Sequence, residues 1–235
     1  RGTELAGASE ATKFDLAELA VLNNKTPREV MRIYTEVSQN LTRVAHPHDV
    51  IRLADLIIQE DRAFSEVLTA YRAIEEGLLN PADSADIFEL TRAVIKSHKT
   101  PEKVLELYSQ IRMQLTSPKR YGDAAQLVWP ALQLDKTAFD VVSKYSEVAA
   151  FLPGAKDIID LAKVVIRKGL NVQQIVTLYR EVKIHQFGTR TPDDWVMLTK
   201  LSIESGRSPI DLYAQFRDLE LVLPGPFSEG DLLYL

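Results

Sequence analysis

Three groupings of residues in this chain of 235 residues have the types and spacing that could do chemistry. His46-Pro47-His48-Asp49 sets two imidazoles and a carboxylate within one short stretch, donors that zinc accepts. No further strong ligand stands out, and the plainer reading is a proline-broken connector in which Asp49 caps a helix beginning near Val50. Asp193-Asp194 follows Thr191-Pro192. Acid–base work there would need a pocket and shifted pKa values. A helix start, where the macrodipole favours negative charge, explains the pair without catalysis. His98 and His185 each stand alone in a polar connector and are expected to be solvated.

The third grouping is a surface. Arg92/Lys96, Trp129/Gln133, Lys163/Arg167 and Lys200/Glu204 are pairs four residues apart, and the pairs follow one another at 37, 34 and 37 residues. Glu18/Leu22 and Asp55/Gln59 precede them on the same beat. Residues at i and i+4 share one helix face, so stacked helices would line these side chains up as a ladder. Arg92, Lys96, Trp129, Lys163, Arg167 and Lys200 are therefore the candidate binding residues. The ladder would suit an acidic peptide or a nucleic-acid strand, with Trp129 as the stacking or anchor residue. Against this stand the opposite-charge pairs Arg52–Asp55, Glu89–Arg92 and Asp160–Lys163 at i,i+3, which would make the same face an ordinary solvated one.

The elements that must position this ladder are legible from a leucine–aromatic beat. Leu16/Tyr34, Leu53/Tyr71, Leu90/Tyr108, Leu127/Tyr145, Leu161/Tyr179 and Leu198/Phe216 are always 18 residues apart, and the leucines follow at 37, 37, 37, 34 and 37. Self-similarity at such a period signals stacked supersecondary units. Leu16, Leu19 and Ala20 fall at i, i+3 and i+4, which is helical spacing. Thr26-Pro27, Thr100-Pro101 and Ser208-Pro209 then start second helices, the hydroxyl capping and the proline supplying a preset φ. Thr26 with Glu29 makes a capping-box pattern. The aromatics are expected to be core between repeats, not a ligand cage.

The reading is an all-α fold, a right-handed α-solenoid of six helix-turn-helix hairpins of period about 37 plus a partial seventh. The chain is taken as a single domain, 1–235, with repeats at about 14–40, 49–77, 84–115, 122–150, 155–186 and 192–222. The partial seventh spans 228–235, where Asp231-Leu232 copies Asp160-Leu161. Pro130 falls inside the fourth first helix, where a kink or early break is expected. With the shortened junction at Phe151-Leu152-Pro153-Gly154, it makes residues 125–155 the place for the stack to bend.

The beat resembles the tetratricopeptide and pentatricopeptide type of helical-hairpin repeat. Lys168-Gly169 followed by Ile175-Val176-Thr177-Leu178-Tyr179-Arg180-Glu181-Val182 is most similar to a pentatricopeptide second helix. That resemblance implies a scaffold binding proteins or single-stranded RNA. Residues 152–200, with Asp157-Ile158-Ile159-Asp160-Leu161-Ala162 and Trp195, are also similar to the C-terminal helical region of very large bacterial glutamate dehydrogenases, which implies a helical accessory domain of a larger enzyme.

Composition narrows the classes further. There is no cysteine, which removes disulfides, thiolate metal sites and cysteine nucleophiles. No Gly-x-Ser-x-Gly turn, glycine-rich phosphate loop or His-Glu-x-x-His helix occurs. A net charge of −5 argues mildly against a protein devoted to a polyphosphate backbone. No apolar run approaches the ~18 residues of a membrane span, so no membrane insertion is expected, and nothing at Arg1-Gly2-Thr3 has a signal pattern. The expectation is a non-catalytic protein-interaction module without cofactor or metal, binding a protein or acidic peptide, with RNA as the alternative. The cytoplasm is the favoured compartment and the oligomeric state is left open.

Overall fold

The computed structural model describes residues 10–41, 47–78, 84–115, 122–151, 158–184 and 192–222. Among these the chain forms twelve α-helices and no strand. In order they are α1 (Glu10–Leu22), α2 (Pro27–Asn40), α3 (Pro47–Gln59), α4 (Phe64–Gly77), α5 (Ser84–Ser97) and α6 (Pro101–Gln114). There follow α7 (Gly122–Gln133), α8 (Ala138–Phe151), α9 (Ile158–Lys168), α10 (Val172–Ile184), α11 (Pro192–Ser205) and α12 (Pro209–Val222). The expected seventh repeat at 228–235 lies outside the described residues.

The beat is core. Leu16, Leu53, Leu90, Leu127, Leu161 and Leu198 are all buried, as are Tyr71, Tyr108, Tyr145 and Tyr179, while Tyr34 is partly so. The side chain of Phe216 lies outside the description. Burial at this spacing places one apolar stripe of each helix against its neighbours, which is where most helical stability arises.

The chain divides into two compact units, Arg1–Leu132 and Gln133–Leu235. The division falls inside residues 125–155. In the first unit α3 packs against α1, α2, α4 and α5, and α4 also meets α5 and α6. In the second, α8 packs on α9 and α10, α11 on α9 and α10, and α12 on α10 and α11. Within each unit these packed helices lie one or two apart along the chain, a packing compatible with a helical repeat. Pro130 does not break its helix: α7 continues to Gln133 with Pro130 buried inside it.

The helix starts follow local chemistry closely enough to correct the reading in two places. Thr26 caps α2 in a full reciprocal box, its Oγ1 accepting from the Glu29 amide at 3.3 Å while Glu29 Oε2 accepts from the Thr26 amide at 2.9 Å. Ser208 Oγ likewise accepts from the Asp211 amide at 3.1 Å. Thr100 makes no such cap. The third helical residue after it is Lys103, which has no acceptor to return, and the Thr100 hydroxyl turns to the Glu102 carboxylate. Asp49 is not a cap either, because α3 begins at Pro47 and leaves Asp49 in the first turn, buried. The preset φ of proline starts the helix there.

A second periodicity lies in the backbone. Asn24, Asp61, His98, Asp135, Gly169 and Gly206 have φ of 50°, 48°, 55°, 50°, 63° and 70°. They follow each other at the leucine spacing and terminate α1, α3, α5, α7, α9 and α11. At the end of α1 the Asn24 amide bonds to the Val21 carbonyl at 3.2 Å and the Lys25 amide to the Ala20 carbonyl at 2.9 Å. This is a Schellman closure, which needs one left-handed residue. Asn, Asp and Gly tolerate that region best.

A Cβ at Gly206 would meet no atom within 4 Å, so Gly206→Ala should lose only the backbone preference, about 1–2 kcal/mol. Gly122→Ala is equally uncrowded but its φ is not left-handed, and it should be neutral or stabilising. Urea denaturation of the two variants beside the parent checks this, and equal losses at both sites would overturn it.

Candidate functional site

Four of the ladder cations, Arg92, Lys96, Lys163 and Arg167, are matched by carboxylates of their own helix or of a neighbouring segment. On α5, Lys96 Nζ lies 2.9 Å from Glu60 Oε1, which follows α3, and Arg92 lies 3.8 Å from Glu89. Asp55 on α3 stands in the field of both cations. It accepts a hydrogen bond from Gln59 Nε2 at 3.0 Å and another from the Asn23 side chain at the end of α1. Desolvation outweighs these and holds the Asp55 carboxyl above its ordinary value. α1, α3 and α5 therefore bring Asp55, Arg92 and Lys96 to one face of the first unit.

The second unit carries the same arrangement on α9 and α11. Lys163 Nζ pairs with Asp160 at 2.9 Å, and Arg167 Nη2 pairs with Glu204 Oε1 at 3.0 Å. Arg167 and Glu204 stand at equivalent sequence positions of α9 and α11, 37 residues apart, and this ion pair joins the two helices. Lys200, one turn before Glu204, is half-exposed and makes no ion pair among the described residues. Trp129 belongs to α7 in the first unit and is partly buried, flanked by the buried Val128 and Pro130. Pairs this exposed contribute at most about 1 kcal/mol each. Their effect is to settle local charge.

Turn residues add a further contact of the same lateral kind. The Arg62 guanidinium donates to the His98 ring at 2.8 Å (to Nδ1) and pairs with Glu66 at 3.4 Å. His98 is exposed, as expected, but it is not solitary. Trp195 is held in the second unit by an edge contact with Tyr179, 6.3 Å between centroids, and by Lys183 Nζ over its ring at 5.5 Å. It packs around Val182 and Leu198, which makes it part of the core.

The remaining candidates fare differently. His46 lies outside the described residues, as do the side chains of His48, Asp193 and Asp194, and His185. Among the described residues no group of three metal-ligating side chains stands together, and no helix there is long and apolar enough to cross a membrane. An open cleft of about 590 Å³ in the second unit is lined by Phe139, Lys144, Ile166 and Asn171. Several of its charges are engaged: Lys144 pairs with Glu147 at 3.3 Å, and Asp140 accepts from the Thr137 amide at 3.0 Å and its hydroxyl at 2.8 Å.

Sequence reasoning missed several of these partners. Glu60 and Glu204 lie 36 and 37 residues from the cations they meet, and only the repeat period could have paired them. Thr137–Asp140 is a reciprocal cap like Thr26–Glu29, overlooked because Ala138 rather than a proline follows it. No protein-family model matches the sequence, and comparison with curated proteins gives no match.

Two groups make opposite contributions to stability as pH changes. Asp55 is raised above its ordinary 3.8, so its ionisation costs the folded state, and stability falls as pH rises from 3.8 through the raised value. Glu29 is lowered below 4.5 by hydrogen bonds from Thr26, so its contribution is present above 4.5 and is lost as pH falls through the lowered value. In urea titrations over this range, Asp55→Asn should gain on the parent as pH rises. Glu29→Gln should lose ground over the same rise. The same trend in both variants would refute these assignments.

Proposed function

We propose that the chain is a non-catalytic scaffold that presents its first-helix ladder to a protein partner. On this reading the helices form a right-handed α-solenoid of six hairpins with a partial seventh, of the tetratricopeptide-like kind. The recurrence of one left-handed residue per helix pair, on the leucine spacing, supports the repeat. Among the ladder cations, Arg92, Lys96, Lys163 and Arg167 are all matched by carboxylates. That observation carries the choice of partner. A phosphate backbone binds by releasing counterions from unmatched cations, whereas here it would compete with Glu89, Glu60, Asp160 and Glu204. A protein surface with charges of both signs can exchange such pairs and bury apolar area around Trp129.

The test uses the whole chain with a photo-crosslinking residue at Lys200, the ladder cation that stands outside its ion pairs among the described residues. The protein captured should bind the parent in about 0.2 M salt, and Trp129→Ala should weaken binding at least tenfold, the loss of an aromatic anchor. An oligouridine strand should bind weakly in the same assay. Strand binding that is tight, falls steeply with salt and is abolished by Lys163→Glu would replace this reading with RNA recognition.

A further inference from the structure

We draw no further inference here: the strongest candidate, the open cleft of about 590 Å³ in the second unit lined by α8 and the turn from α9 to α10, where Phe139 stands 70% exposed, carries nothing because no feature of the structure shows what covers it.

Discussion

Burial between one first helix and the helices before it is the interaction on which the described architecture rests. Ile51, Ala54 and Ile58 have no core of their own helix to enter; they are hidden because Leu16, Leu19, Ala20 and Val30 stand behind them. Packing between helices one or two apart, as within each unit, draws stability from local interfaces. Every other feature is arranged around that condition. The caps fix where each helix begins, the left-handed residues fix where first helices end, and both keep the stripes in register.

Matched charge does for the surface what the stripe does for the interior. Arg92 and Lys96 stand one turn apart on α5, as Lys163 and Arg167 do on α9, so each helix crowds two cations on one face. Carboxylates from the same or the adjacent helix relieve that crowding: Glu60 for Lys96 and Glu204 for Arg167. A face balanced in this way has little long-range field. Its selectivity would therefore come from shape and from which pairs a partner can re-form. Asp55 shows the limit of the arrangement, since its burial outweighs two hydrogen bonds and two nearby cations.

Helix content, helix pairing and the buried beat were legible in the sequence because period and burial are both consequences of one apolar stripe. Thr26–Glu29 was legible because its whole interaction spans three residues. Two of the i,i+3 charge pairs, Glu89–Arg92 and Asp160–Lys163, were readable for the same reason. What escaped were contacts whose partners lie a full repeat apart, such as Arg62 with His98. Pro130 escaped for a different reason. A missing amide weakens one hydrogen bond, but Val128, Pro130 and Ala131 are all buried, and their packing holds α7 together past it.

The left-handed residues also set how the turns respond to heat. In the first four turns the position is Asn24, Asp61, His98 or Asp135, which adopt that conformation more readily than other residues with a Cβ but still meet a steric cost in the folded state. In the last two it is Gly169 or Gly206, which adopt it freely but give up more freedom when the chain orders. A steric penalty changes little with temperature, while an entropic one grows in proportion to it. Turns of the same geometry thus carry costs of two kinds: steric in the first four, and conformational entropy in the two closed by Gly169 and Gly206.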